Sequence, residues 1–482
     1  MDYRAVFLQR KVQRLIISVL IAISYILLPL HPGRLSEPAL GLLPTPVRDD
    51  VEDQPVVVPA LPADYVAVPQ GSAVCADLFG VPYLESMRDV AVEYCAPQSS
   101  SSLTCFHSQH VGSRIDTFCL AQGASFNLSR QKFTLDCELQ GPSMPNSPFN
   151  IPSYGRFENY WYNTGPNIAF DKMVDLQRDS STTAKIALAG GSNFTLVINR
   201  EGETNPWHTL MEIFSMTMTI DVLQMSHGSN SEGPLFTASD IDNTQVLVID
   251  DHKDGPFFDL WSLFAKRPTL RLQDLKPDSS IEFQNLIIPL AGGSNPLWQG
   301  DWEPHSCKHS PLLHTFSNRV LDFYGLKERV PKGPDIVVTY INRTGSRKLT
   351  NSKEYLQAIE DTIPHIRIQS VDFAAIPLKR QLDIIRETDV LVGVHGAGLT
   401  HGIFLSQGSA MVEIIPSELN HKGFRNVASL LGHSYFSTHA SHTNNNDWHN
   451  EDVFLEKDRF MDILSTAIKA VYNKGEKNYD IT

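Results

Sequence analysis

The stretch LKRQLDIIRETDVLVGVHGAGLTHGIFLSQGSAMVEIIP, residues Leu378–Pro416, decides the fold of this chain. Its apolar residues recur first at helical spacing and then as the short β-branched run Val390–Val394. A small-residue turn, a second short helix and a buried strand, Met411–Ile415, are predicted to follow. This order is a βαβ unit, which builds parallel sheets covered by helices. The stretch therefore predicts an α/β fold.

The turn His395-Gly396-Ala397-Gly398 lies at the tip of the first predicted strand. Two glycines there allow a ligand to approach the backbone, and the helix that follows offers unpaired N–H groups to an anion. The order GVHGAG differs from the GxGxxG dinucleotide fingerprint, which disfavours a nicotinamide cofactor. The spacing alone leaves two interpretations open: a phosphate or diphosphate site, or a turn that only reverses the chain.

Residues 392–416 resemble the C-terminal motif of glycosyltransferase family 61, which contains N-acetylglucosaminyltransferases and plant xylosyltransferases. The family's HGAGLT run is present at His395–Thr400, its later glycine at Gly408 and its acidic residue before proline at Glu413. The chain departs from the motif at Ser406-Gln407, where the family commonly has proline. The resemblance implies a GT-B-like architecture, in which two Rossmann-like domains face each other across a cleft.

Composition and the resemblance together divide the chain into six parts. Proline-rich sequence favours an extended stem, and strands that alternate with helices beyond it predict mostly parallel sheets. The expected parts are a cytoplasmic tail (1–14), a transmembrane signal anchor (15–32), a proline-rich stem (33–74), a cysteine-rich lumenal subdomain (75–148), an N-terminal α/β acceptor domain (149–330) and a C-terminal α/β domain for the nucleotide-sugar donor (331–482).

The N-terminus predicts a type II membrane protein. Four basic residues precede the charge-free apolar run Leu15–Leu30, which favours a cytoplasmic N-terminus and a lumenal catalytic part. A cleaved signal peptide is the alternative. The C-terminus NYDIT differs from a KDEL-type retrieval signal, so we expect the Golgi ahead of the endoplasmic reticulum.

Charge and cysteine content agree with a lumenal address. The formal net charge of −14 argues against a nucleic-acid-binding surface. The even number of cysteines, six, predicts disulfides in an oxidising compartment, and their pairing cannot be read from the sequence. Asn127, Asn193 and Asn342 each begin a glycosylation sequon.

His208 and Glu212 are the first candidates for catalysis. Asn205-Pro206 predicts the start of a helix, which puts this histidine and carboxylate one turn apart. A carboxylate at that spacing can hydrogen-bond an imidazole and raise its basicity, although an ordinary surface pair has the same spacing. The segment NPWHTLMEIF also resembles a family 61 segment of the N-terminal domain, which implies that His208 is the catalytic base.

Asp250-Asp251 follows the predicted strand Val246–Ile249. Asp251 is a second candidate base, and the pair is a possible Mn²⁺ site. An acidic pair at the end of a strand is also common in solvated loops. We expect no required metal, because a helix dipole and basic residues can hold a diphosphate in GT-B enzymes.

The donor-binding candidates lie in the C-terminal half. Arg343 and Arg347 flank a turn after the predicted strand Ile336–Ile341, and arginine suits bidentate contacts with phosphate oxygens. INRTGSRKLTN resembles a family 61 segment, which implies diphosphate binding, whereas the residues alone also fit a solvated basic loop. The remaining candidates are His395, Gly396 and Gly398 near the donor phosphates and Glu413 near the ribose hydroxyls. A glycan on Asn342 would crowd this site.

These observations predict an inverting glycosyltransferase that moves a sugar from a UDP-sugar to a hydroxyl of a glycoprotein or glycan. The resemblance favours N-acetylglucosamine as the sugar and xylose next. Two alternatives stay open: a catalytically inactive sugar-binding or scaffold protein of the same fold and, less favoured, a nucleotide-cofactor oxidoreductase.

Overall fold

The computed structural model describes residues 61–473, except for 70, 111, 128, 161–163, 178–192, 229–232, 276–283, 327–333 and 442–448. The predicted cytoplasmic tail, the anchor at 15–32 and most of the predicted stem lie outside the described residues. Within the described ranges, every helix is too short or too polar to cross a membrane.

The described strands form three sheets. The strands are β1 Ala91–Glu93, β2 Ser102–Ser108, β3 Asp116–Gln122, β4 Ser125–Asn127, β5 Lys132–Asp136, β6 Val174–Gln177, β7 Phe194–Ile198, β8 Thr244–Val248, β9 Leu270–Arg271, β10 Asn285–Ile288, β11 Ile336–Ile341, β12 Ile366–Val371, β13 Val390–Val394, β14 Ala410–Ile415 and β15 Ser434–His439. The α-helices are α1 Ala73–Phe79, α2 Val81–Arg88, α3 Pro166–Met173, α4 Pro206–Gln224, α5 Pro296–Gln299, α6 Pro311–Phe323, α7 Ser352–Thr362, α8 Leu378–Glu387, α9 Gly423–Leu430 and α10 Lys457–Asn473.

The first sheet has the strand order β1-β2-β3-β10-β7-β8-β9. Strands β10, β7, β8 and β9 are parallel to one another, whereas β3 pairs antiparallel with β10. Strands β1 to β3 belong to the segment 75–148, for which the sequence suggested a subdomain of its own. Because β3 and β10 share a full ladder of paired residues, this segment is continuous with the sheet of the following part.

All six cysteines form disulfides, as predicted. Cys105 and Cys119 lie directly opposite each other on β2 and β3, and Cys95 pairs with Cys137. The third disulfide, Cys75–Cys307, joins α1 to the segment before α6. Each bridge connects backbone that the fold already brings together, so the disulfides reinforce the first sheet and its covering helices.

The second sheet has the order β12-β11-β13-β14-β15, and all its pairs are parallel. The βαβ unit predicted from Leu378–Pro416 is confirmed, with α8, β13 and β14 close to their expected positions. The connection after the glycine turn is the 3-10 helix Ala397–Phe404. The molecule is therefore a mixed α/β protein, as the sequence predicted.

Helix α4 is buried in the core of the protein. Asn205 caps its first turn by accepting from the backbone N–H of Trp207, and Pro206 is its first residue, as predicted. Most of its side chains are buried on every face, including polar ones, and it packs against the 3-10 helix of the second sheet. One cluster of apolar side chains accordingly includes residues from both halves of the chain.

Candidate functional site

The turn after β13 lies against the two arginines that follow β11. A Cβ atom placed on Gly396 would clash with Nη1 of Arg343 and would lie 3.4 Å from Cζ of Arg347. This proximity arises because β11 and β13 are parallel neighbours, whose carboxyl ends meet at the same edge of the sheet. The structure thus brings Arg343 and Arg347 beside a glycine that follows them by about 50 positions in the sequence.

The two guanidinium groups are half-buried and close to one another. Burial, followed by the positive charge of Arg343, lowers the pKa of Arg347 to about 10. Burial also lowers the pKa of Arg343, whose Nε donates to the Ser346 carbonyl at 2.8 Å. Two partly desolvated positive charges beside a glycine turn favour an anion, which would neutralise both.

His395 forms a buried pair with Glu413. Its Nδ1 lies 2.6 Å from Oε1 of Glu413, while the Tyr435 hydroxyl donates to Oε2. Burial lowers the pKa of His395, against the opposing effect of Glu413, and so favours a neutral imidazole that donates from Nδ1. Both carboxylate oxygens of Glu413 therefore have hydrogen-bond partners within the protein, His395 and Tyr435. Its predicted contact with a ribose stays a prediction, and its observed contacts orient His395.

Gly398 packs against the neighbouring strand. A Cβ atom there would lie 3.0 Å from Cγ2 of Ile341, the last residue of β11. The glycine therefore lets the 3-10 helix approach β11 closely. Its predicted proximity to the donor phosphates stays a prediction.

The hydrogen-bond partner of His208 is Glu201, and the predicted pairing with Glu212 is wrong. Nδ1 of His208 lies 2.9 Å from Oε2 of Glu201, which precedes α4. Glu212 points into the core, where its Oε1 accepts the backbone N–H of Glu201 at 3.0 Å. The prediction from i,i+4 spacing is wrong because α4 is buried on nearly every face. The carboxylate of Glu212, one turn after His208, therefore faces the interior.

Glu201 was missed by the sequence reasoning. It lies three residues after β7, at the carboxyl end of a parallel strand, where ligands of α/β proteins commonly bind. This position after a predicted strand is the sequence signal that could have identified Glu201 as a candidate site residue. Glu201 lies in the loop before α4, which begins at Pro206, so no periodicity of a helix or strand relates it to His208. Their contact depends on how the β7–α4 loop folds.

Aromatic rings connect the His208 region to the His395 region. The His208 ring lies 4.7 Å from Trp298, and Trp207 lies 5.5 Å from Phe424. Phe424 in turn lies 5.4 Å from His395. Three of these five residues precede residue 330 and the other two, Phe424 and His395, follow it, so the two candidate regions adjoin one continuous aromatic cluster.

A third histidine–carboxylate pair lies beside this cluster. His421 is 5.0 Å from His395 between ring centroids, and its Nε2 is 3.1 Å from Oδ2 of Asp301. His421 and Asp301 occupy loops in different halves of the chain. The sequence reasoning missed both, because each is a single polar residue in a loop with no pattern around it.

Asp250 and Asp251 have different surroundings. Asp250 accepts from the guanidinium of Arg200, whose side chain is 1% exposed, and from two backbone N–H groups. Asp251 is exposed, and both carboxylates line a polar pocket of about 430 Å³ together with Lys172 and His252. Across the described part of the chain, no cluster of three or more His, Cys, Asp or Glu side chains is placed to hold a metal ion. The proposed base and metal roles of these aspartates stay predictions.

The three sequons differ in exposure. Asn127 is exposed on β4, whereas Asn193 and Asn342 are partly buried. The backbone N–H of Asn342 donates to the Val371 carbonyl, and the residue directly precedes Arg343. A glycan at Asn342 would therefore crowd the arginine pair.

Known proteins resemble the part of the chain that contains these sites. A family model described as Glycosyltransferase 61 matches residues 206–412. The chain is 28% identical over 250 residues to the EGF domain-specific O-linked N-acetylglucosamine transferase of Drosophila melanogaster, a match that covers 50% of this chain and 44% of that protein. It is 36% identical over 191 residues to the Bos taurus protein of the same name, covering 38% of this chain and 34% of the relative.

The chain thus spans less than half the length of these two curated relatives. The matched range nevertheless includes His208, Arg343, Arg347 and Gly396, while Glu413 lies one residue beyond it. The family model and the relatives agree with each other and with the motif at the tip of β13. From residue 206 to residue 412 the chain is thus similar to glycosyltransferase family 61.

Proposed function

We propose that this protein is an inverting glycosyltransferase of GT-B architecture that uses a UDP-sugar donor. The observation that carries the proposal is the pair Arg343 and Arg347 beside Gly396, at the carboxyl edge of an all-parallel sheet. Such an edge is the usual ligand site of α/β folds, and paired guanidinium groups suit a diphosphate. The acceptor is a hydroxyl of a glycoprotein or glycan.

The GT-B assignment is supported by two large sheets that each have parallel strands. The first supplies the loop and helix that contain Glu201 and His208, and the second supplies the arginine pair and His395. Residues from both halves meet in the aromatic cluster around Phe424. A donor held by the second half and an acceptor held by the first would meet near this cluster.

The chemistry follows from the charges of these groups. His208 takes the proton of the acceptor hydroxyl while that oxygen attacks the anomeric carbon from the face opposite the leaving group. The bond from the anomeric carbon to the diphosphate breaks, and UDP leaves with the bonding electron pair. Arg343 and Arg347 stabilise the negative charge that grows on the diphosphate. Attack from the opposite face inverts the anomeric configuration.

The donor we favour is UDP-N-acetylglucosamine, with UDP-xylose next. The names of the Drosophila and bovine relatives, N-acetylglucosamine transferases, support this order. The three disulfides support an oxidising compartment, and we propose the Golgi or endoplasmic reticulum as the location, with a type II anchor at residues 15–32.

The test is binding and turnover of a panel of UDP-sugars by the full-length protein in detergent. We expect one donor to bind and react, and Arg343→Ala to weaken UDP binding by about 10- to 100-fold, because a charge-assisted contact is lost. Arg367→Ala is the matched control, since this exposed arginine on β12 pairs with Glu387 at the surface. Binding without turnover would favour the sugar-binding alternative, and no binding of any UDP-sugar would overturn the proposal.

A further inference from the structure

We propose that Glu201 is the positioning residue of His208: it accepts the Nδ1 proton of the imidazole and so directs Nε2 to take the proton of the acceptor hydroxyl. This inference rests on the proposed function. It replaces the residue that helical spacing suggested, Glu212, with a residue from the preceding loop. Glu212 has a different task, which is to hold the loop.

The contact geometry fixes the imidazole from two sides. The Glu201 side chain is 2% exposed and lies 2.9 Å from Nδ1, and the Trp298 ring meets the His208 ring edge to face at 4.7 Å. The His208 side chain is 20% exposed, so part of the ring stays accessible to a substrate. A carboxylate that accepts from one ring nitrogen sets the tautomer in which the other nitrogen is a proton acceptor.

Glu212 fixes the position of Glu201 through the backbone. Its Oε1 accepts the Glu201 N–H at 3.0 Å, while among the described residues its Oε2 has no hydrogen-bond partner. A Cβ atom on Gly292 would lie 2.6 Å from Cγ of Glu212 and 3.2 Å from Oε1 of Glu201. Only glycine therefore leaves room for both carboxyl groups, which lie side by side.

The surroundings of Glu201 and Glu212 affect the pKa values of the two carboxyl groups differently. Burial raises the pKa of Glu212 well above its usual range, and the charge of Glu201 raises it further, which favours the neutral form of Glu212. Burial also raises the pKa of Glu201, but the hydrogen bond from His208 opposes this. Arg200 and Asp250, the other charged groups that act on Glu212, neutralise each other. These effects favour a negative charge on Glu201, the carboxyl group beside the imidazole.

The decisive variant is Glu201→Gln, because it keeps the shape of the side chain and removes the charge. We expect kcat to fall by about 10- to 100-fold with little change in KM for the UDP-sugar. The acid-side midpoint of the kcat profile should move to lower pH by about one unit, since a carboxylate favours the protonated imidazole. Glu201→Asp should restore the wild-type midpoint with a reduced kcat.

Three comparisons separate this role from a structural one. Glu203→Gln, a change at a partly exposed carboxylate of the same loop, should leave kcat and its pH profile unchanged. Glu212→Gln should lower kcat less than Glu201→Gln does, because Glu212 contacts the Glu201 backbone and not the imidazole, and burial favours its neutral form. In a His208→Ala background, Glu201→Gln should have almost no further effect on kcat.

The outcomes distinguish the inference from the function on which it rests. Absence of turnover in the wild-type protein with every UDP-sugar would overturn the proposed function. Wild-type turnover together with an unchanged kcat and pH profile in Glu201→Gln would overturn the inference alone. Equal and additive losses in the His208→Ala background would also overturn it, since independent residues add.

Discussion

At the scale of single residues, the site depends on the absence of a side chain at Gly396. The residue has φ 153° and directly precedes the 3-10 helix Ala397–Phe404. Its α-carbon faces the guanidinium groups of Arg343 and Arg347 so closely that a methyl group would collide with the first. The glycine thus determines where two charged side chains can lie, although it has no charge of its own.

We expect Gly396→Ala to displace Arg343 and to weaken UDP binding by at least about 10-fold, through loss of a charge-assisted contact. The free energy of unfolding should fall by about 1–3 kcal/mol, because the new methyl group overpacks the turn. Gly141→Ala is the control, since a Cβ atom at Gly141 meets nothing within 4 Å. Titration calorimetry measures UDP binding, and denaturant unfolding measures the change in stability. Unchanged UDP binding in Gly396→Ala would contradict the proposed role of Gly396 in placing Arg343.

At the scale of elements, the antiparallel edge of the first sheet is joined to its neighbours through a buried carboxyl group. Asp116, the first residue of β3, accepts from the Tyr160 hydroxyl and from Nε2 of Gln299 at the end of α5. Burial raises its pKa to about 6 from an ordinary value of 3.8, and these hydrogen bonds oppose the increase. Between these two pKa values, the folded protein therefore holds a proton here that the unfolded chain has lost.

The raised pKa of Asp116 predicts that stability changes with pH. Between about pH 4 and pH 6 the folded state binds more protons than the unfolded state, so the free energy of unfolding falls as pH rises through this window. The contribution of Asp116 is at most about 3 kcal/mol. Denaturant unfolding at several pH values should show this slope in the wild-type protein and in the exposed variant Asp89→Asn. The slope should be smaller in Asp116→Asn, and an equal slope there would contradict the assignment.

At the scale of the whole molecule, residues 61–69 are packed against the body, although composition placed them in an extended stem. Tyr65 donates to Asp221 of α4, and Arg319 of α6 bonds both Asp221 and Asp64. Asp221 is fully buried. This network joins two core helices to the segment that precedes α1, and the Cys75–Cys307 bridge links the same region covalently.

Removal of the buried charge in this network should be costly. We expect Asp221→Asn to lower the free energy of unfolding by about 3–5 kcal/mol, because Arg319 then keeps a largely buried charge without its main counter-ion. Tyr65→Phe should lower it by about 1 kcal/mol through loss of one hydrogen bond. Asp242→Asn, at an exposed pair with Lys266, should change it by less than about 0.5 kcal/mol. Denaturant unfolding of the wild-type protein and the three variants measures these free energies. Equal losses of unfolding free energy in Asp221→Asn and Asp242→Asn would rule out a stabilising network.

The sequence by itself determined the local structure of this protein. Apolar spacing predicted the βαβ unit at Leu378–Pro416, and Asn205-Pro206 predicted the start of α4, because capping and periodicity are properties of neighbouring residues. The even cysteine count predicted disulfides. The strand-tip rule and the motif pointed to Arg343, Arg347 and Gly396, which the fold does bring together.

The tertiary structure decided which groups meet across the chain. Helical spacing paired His208 with Glu212, but the burial of α4 turned that carboxylate inward and a loop supplied Glu201 instead. The pairing of His421 with Asp301, the ladder between β3 and β10 and the packing of Tyr65 likewise join residues more than 60 positions apart. Periodicity reports only which face of an element is apolar, so contacts between distant loops depend on the packing of the whole chain.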